Sequence, residues 1–239
     1  MIVIRNLPAA FKIIRTTFGF HTHRKQIAAA KASGDKEEER KWISVSEVDW
    51  GRGLCKDVGV NIEVTGRENL PETGPVLYVA NHQSYADIPI HCAVLDKFQF
   101  GFVAKKELAD IPVYGNFIEE IRSVLIDRTN AKTSMKAIIQ GISYLEDGFS
   151  LMIFPEGTRS KSSEMAEFHQ GSLKLATKPE VPVVPITLDG SYKAYEETGK
   201  FSPCNVKYTI HEPIETKGMD RIEKAELAKR VEDIIRSAL

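Results

Sequence analysis

From residue 58 onward the chain repeats one pattern, and that pattern leaves few folds open. Seven short β-branched or apolar runs are set off by Gly, Pro or Asp: GVNIEVTG (59–66), PVLYVA (75–80), FGFVA (100–104), SVLIDR (123–128), SLMIF (150–154), VPVVPITL (181–188) and NVKYTIH (205–211). Runs of this length and content read as strands. Helical patterns lie between several of them. The clearest covers 129–148, where the spacing predicts Met135, Ile138, Ile139, Ile142 and Leu145 on the inward face. An amphipathic helix through Leu227, Val231, Ile234 and Ile235 closes the chain. Strands alternating with helices predict an α/β fold with a mixed, largely parallel sheet covered by helices.

The first 57 residues read differently. Residues 1–33 hold Arg5, Lys12, Arg15, Arg24, Lys25 and Lys31 and no acid, a charge of +6 on a chain whose total is -1. Within this stretch Leu7, Ala10, Phe11, Ile14 and Phe18 recur at helical spacing, with Lys12 and Arg15 off the stripe. A helix packed on its own domain is the commoner fate of such a stripe. A helix packed on protein usually mixes charge signs, however, and this one lacks acids. We therefore read it as an interfacial helix, with Phe11, Ile14 and Phe18 toward acyl chains and Lys12 and Arg15 among anionic head groups. Each basic residue contributes about 1 kcal/mol there at best. SGDKEEER (33–40) makes a turn, and a second helix is expected near 36–57, its Trp42 and Trp50 suited either to a lipid interface or to anchoring the arm on the body. The expected division is a two-helix membrane-association arm, 1–57, and a catalytic α/β domain, 58–239.

Composition removes several classes. With 42% hydrophobic and 27% charged residues the chain is not disordered. Three widely spaced cysteines without a C-x-x-C pair argue against a disulfide framework or a zinc site. No apolar run reaches the roughly 18 residues of a spanning helix, and Arg5, Lys12 and Arg15 interrupt any signal-peptide core. The cations of the arm line one apolar helix instead of a folded aromatic face, so nucleic acid is not an expected partner.

Two stretches directly after strands carry candidate chemistry, since ligands of such sheets bind at strand ends. In NHQSYADIP (81–89) a turn can bring His82 and Asp87 together, the carboxylate fixing the tautomer while the other ring nitrogen takes a proton from a hydroxyl. A purely structural reading also fits: Asp87 before Ile88-Pro89 has the form of an N-cap, and Ser84 and Asp87 match a capping box. Capping does not explain His82. In IFPEGTRSKSS (153–163), Gly157 allows a close backbone approach and Arg159 offers a planar fork for phosphate, flanked by Glu156. Arg128, Lys105 and Lys106 end two further strands, and together these cations would make a phosphate pocket.

N-H-x-S-x-x-D at 81–87, F-P-E-G-T-R-S at 154–160, IDR between them and VPVVPIT after them resemble the glycerolipid acyltransferase family, above all its bacterial 1-acylglycerol-3-phosphate branch, over roughly residues 60–190. The resemblance implies His82 as general base and Asp87 as its orienting carboxylate. Glu156, Gly157 and Arg159 would bind the glycerol phosphate acceptor, with Arg128 and Lys105 helping on phosphate and Pro185 shaping the wall. The acyl tail would lie where the arm meets the body. It implies direct attack of the hydroxyl of lysophosphatidic acid on a fatty acyl thioester, and no G-x-S-x-G nucleophile elbow is present. No cofactor and no metal are expected; acyl-CoA or acyl carrier protein is the co-substrate. The expected seat is the cytoplasmic face of the cell membrane, on anionic phospholipid, peripheral or monotopic and without a transmembrane helix. Glycerol 3-phosphate or another lysophospholipid as acceptor, and an inactive membrane-binding protein, are the alternatives.

Overall fold

A computed structural model describes residues 7–18, 22–111, 114–127 and 129–239. Each of the seven runs contributes one strand: β1 Val60–Thr65, β2 Leu77–Ala80, β3 Phe100–Lys105, β4 Val124–Ile126, β5 Ser150–Ile153, β6 Val183–Asp189 and β7 Cys204–Ile210. They form one sheet in the order β1-β7-β6-β2-β5-β3-β4. β6, β2, β5, β3 and β4 run parallel, β7 is antiparallel to β6, and β1 is parallel to β7. The sheet is mixed and largely parallel, as the alternation of patterns predicts.

The helices are α1 Leu7–Phe18, α2 Arg24–Ser33, α3 Lys36–Val58, α4 Asp87–Val94, α5 Tyr114–Glu120, α6 Ala131–Glu146, α7 Lys174–Thr177 and α8 Arg221–Arg236. Successive residues of the central strands point to opposite faces and so feed two cores. Tyr78 and Ala80 join Phe100, Met152, Val184 and Tyr208 under α3 and α4, whereas Leu77 and Val79 join Leu151, Ile153 and Val183 under α6 and α8. β2 and β5 are buried throughout, which is why they read as unbroken apolar runs.

α3 is built into the first of these cores through Ile43, Trp50 and Leu54. Gly51 permits the crossing with α4: a Cβ there would lie 2.5 Å from the backbone nitrogen of Ala93. Of the two tryptophans, Trp50 lies against Phe117 and Trp42 hydrogen-bonds Glu38 and stacks on His23; both anchor α3 to protein. The turn expected after residue 33 is a tight corner, Gly34 ending α2 in a left-handed conformation and Asp35 capping α3. α2 itself is a helix that the sequence pattern does not announce.

α6 corrects one expectation. Ala137, Gly141 and Leu145 face the sheet and Ile138 and Ile142 flank them, but Met135 and Ile139 are exposed. The buried stripe begins at small residues because the helix lies close on β4 and β5: a Cβ on Gly141 would meet Val124 and Leu151 at 3.3 Å each. α8 starts with a complete capping box, Asp220 with Glu223, and buries Leu227, Val231 and Ile235. Among the described residues no helix is long and apolar enough to cross a membrane.

Candidate active site

β2 ends at Ala80, and Asn81 locks the exit by pairing both side-chain atoms with the backbone of Leu188 on β6, at 2.8 Å each. The chain then turns into α4. Asp87 is the first residue of that helix, and the N-cap position belongs to Ala86, without a side-chain cap. The capping reading of Asp87 is therefore not what the chain builds. Its Oδ2 instead reaches back to the N–H groups of Gln83 (2.7 Å) and Ser84 (2.9 Å) and to His82 Nδ1 (2.7 Å). Ser191 donates to Oδ1 at 2.5 Å. A carboxylate only accepts, so the ring proton sits on Nδ1 and Nε2 is left as the acceptor. The imidazole stacks on Phe154, with centroids 4.2 Å apart and planes 19° apart, so its orientation is fixed on two sides.

The second motif stretch follows β5 and zips onto the first. Ser160 N–H donates to His82 O and Lys161 N–H to Gln83 O. Glu156 lies behind this junction: Oε1 accepts from His82 N–H (2.6 Å) and Oε2 from Ala166 N–H (2.8 Å). Burial pushes its carboxyl above the ordinary value, against the pull of the two amides and of His82. Gly157, with a positive φ of 71°, turns the chain so that Gly157, Thr158 and Arg159 line a cavity. Arg159 lies flat on Tyr85, 3.4 Å from the ring centroid, and Nη1 donates to Glu196 at 2.6 Å.

Other sequence-derived residues are placed less centrally. Lys105, exposed at the end of β3, reaches the cavity lining. Lys106 is engaged by Asp127 at 2.6 Å, and that pairing holds the Asp127 carboxyl down at about 2. Arg128 lies outside the described residues. Pro185 is buried within β6 beside Val79 and is not among the residues around the cavity. Sequence reasoning missed Ser191 and Glu196, both on the segment that follows β6. The only signal there is position, a polar stretch after a strand end.

The cavity encloses about 880 Å³. Its lining combines the polar side chains of His82, Tyr85, Arg159 and Lys105 with the apolar ones of Trp50, Leu54, Phe102 and Ile118. Ile13, Ile14 and Phe18 of α1 and Ile111 border it on the arm side. α1 is held there by Thr16, which donates to Asp57 at 2.5 Å, and by Arg15, 3.9 Å from the same carboxylate. Phe11, Ile14 and Phe18 are exposed, the last two while bordering the cavity, and Ile13, Thr16 and Thr17 are half-buried. Among the described residues no three His, Cys, Asp or Glu side chains gather into a group that could hold a metal. His23 meets a single carboxylate, Asp49, at 3.0 Å.

A family model described as Acyltransferase matches residues 61–189, which hold the dyad, the second motif stretch and five strands in full. The chain belongs to the acyltransferase family. Among curated acyltransferases it resembles the chloroplastic 1-acyl-sn-glycerol-3-phosphate acyltransferase LPAT1 of Arabidopsis thaliana, 35% identical over 156 residues, or 64% of this chain and 43% of that protein. The 1-acyl-sn-glycerol-3-phosphate acyltransferase of Borreliella burgdorferi is 28% identical over 178 residues, 74% of this chain and 71% of that one. The chain thus spans less than half the length of the plant relative. The crystal structure of the acyltransferase PlsC from Thermotoga maritima, described as acting on 1-acyl-sn-glycerophosphate, superposes with a TM-score of 0.75 at 29% identity and covers 100% of this chain and 96% of that one.

Proposed function

We propose that this acyltransferase moves a fatty acyl group from acyl-CoA or acyl carrier protein to the sn-2 hydroxyl of lysophosphatidic acid, making phosphatidic acid. The observation that carries the reading is His82, oriented by Asp87 and lining a cavity shared by the cations Arg159 and Lys105 and by many apolar side chains. His82 Nε2 takes the proton of the acceptor hydroxyl as its oxygen attacks the thioester carbonyl. The C–S bond breaks, the ester forms, and the imidazolium returns the proton to the leaving thiolate. Neither a covalent acyl-enzyme nor a cofactor is required. Arg159 and Lys105 meet the phosphate, and Glu156 holds the two motif loops together. The apolar walls near α1 suit a lipid tail better than a bare glycerol 3-phosphate would need. Exposed Phe11, Ile14 and Phe18 beside Lys12 and Arg15 support a seat on an anionic membrane surface, and the face we propose is the cytoplasmic one. Thiol release from palmitoyl-CoA and from palmitoyl carrier protein, with and without lysophosphatidic acid, tests the reaction. We expect acceptor-dependent release that falls by about 10²–10⁴ in His82→Ala. Release independent of acceptor would identify a thioesterase instead.

A further inference from the structure

Beyond the dyad, one buried carboxylate from outside both motif stretches bonds to each of them. Glu196, with its side chain 3% exposed, belongs to the segment after β6 and carries no part of the motif pattern. Its Oε1 accepts from Arg159 Nη1 (2.6 Å) and Tyr85 N–H (3.0 Å), and its Oε2 from Ser84 Oγ (2.5 Å). Arg159 is thereby held on one edge by a carboxylate and on one face by the Tyr85 ring. A lone guanidinium at a cavity rim has many rotamers to lose when a ligand arrives; one clamped in this way is already ordered. His82, by contrast, has its own supports in Asp87, Glu156 and Phe154.

Resting on the acyl-transfer reading, we propose that Glu196 is a positioning residue for acceptor binding: it holds Arg159 at the place where the acceptor phosphate docks. It touches neither reacting atom and acts through the guanidinium. Loss of this hold is therefore felt in acceptor affinity much more than in turnover.

The test compares wild type, Glu196→Asp, Glu196→Gln and Glu196→Ala as full chains in detergent micelles. Glu196→Asp keeps the charge but draws the clamp back by one methylene, and Glu196→Gln keeps the length and an acceptor oxygen. We expect KM for lysophosphatidic acid to rise about tenfold in the Asp and Ala variants, with kcat within about threefold and KM for the acyl donor unchanged. Glu196→Gln should recover much of the wild-type KM. A fall in kcat at constant acceptor KM, or equal rises in both KM values, would overturn the proposal, because a general loss of packing gives those patterns. Should Glu196→Ala fail to fold, Glu196→Asp decides. A parallel measurement uses glycerol 3-phosphate as a probe of thermal stabilisation. If wild type binds it but shows no acceptor-dependent thiol release with lysophosphatidic acid, the acyl-transfer reading fails, and loss of the Tm shift in Glu196→Asp still upholds the clamp. A wild type that shows neither turnover nor a shift overturns both.

Discussion

The Asp87 carboxylate gathers donors from three directions, namely the His82 ring, the backbone of Gln83 and Ser84, and the hydroxyl of Ser191. Two of these define the turn and one defines the base, so the residue serves structure and chemistry at once. The roles separate in Asp87→Asn. An amide oxygen in the place of Oδ2 still accepts from the turn, and its NH₂ faces Ser191, whose oxygen can accept. The negative charge beside the imidazole is gone, and with it the stabilisation of the imidazolium that forms as the hydroxyl loses its proton. We expect kcat to fall by about 10²–10⁴ with a small change in melting temperature, read by single-turnover kinetics beside circular dichroism. A large loss of stability with proportionate loss of activity would show that the turn is the residue's main task. His82 and Asp87 were legible in the sequence because they stand in one motif. Ser191 and Glu196 were not, because they meet the motifs only across the strand ends of a folded sheet. Glu156, which reads as a ligand contact beside Gly157, also has a structural task, each carboxylate oxygen accepting from a backbone amide.

At the scale of elements, all seven strands were legible, since β-branched runs bounded by Gly and Pro have few other fates. The helices were legible only where apolar periodicity is strong. α2 buries just Ile27 and Ala30, too little for a pattern to show. The face of α6 was misread because sequence periodicity weights large side chains, whereas a close approach to the sheet selects Ala137 and Gly141. α1 reverses the usual relation: Phe11, Ile14 and Phe18 are largely exposed, whereas Ile13 and two threonines are half-buried. That arrangement yields a prediction specific to the element. Lys12→Glu should reduce flotation with anionic liposomes while leaving far-ultraviolet circular dichroism unchanged, since that side chain is exposed and Arg15 keeps its place beside Asp57. Flotation equal to wild type would place membrane contact elsewhere.

For the molecule as a whole, the core under α3 and α4 contains a histidine. His91 is fully buried and hydrogen-bonded to the Tyr208 hydroxyl at 2.8 Å. Burial, opposed by Asp87 and aided by the charge of His82, holds its imidazole down at about 3. In the unfolded chain the same ring titrates near 6.5. As pH falls below that value the unfolded state gains a proton that the folded state refuses, so stability falls with pH until about pH 3. The slope is about 1.4 kcal/mol per pH unit for one such group. Glu47 and Glu156, whose carboxyls burial pushes upward, act with the opposite sign at the acid end. The difference between wild type and His91→Gln isolates the histidine: from pH 7 to pH 5 the melting temperature of wild type should drop further than that of the variant. Parallel drops would show that the acid sensitivity arises elsewhere.

The two motif loops are joined by the amides of Ser160 and Lys161 and by Glu156, so His82 and Arg159 cannot drift independently. In the proposed reaction this makes the junction a gauge. The separation between anchored phosphate and waiting base is set by the backbone before any acceptor arrives. Which isomer of lysophosphatidic acid is accepted then becomes a matter of length: a free hydroxyl one carbon farther from the phosphate meets no base. Isomer selection, in the proposed reaction, is written in the seam between two loops.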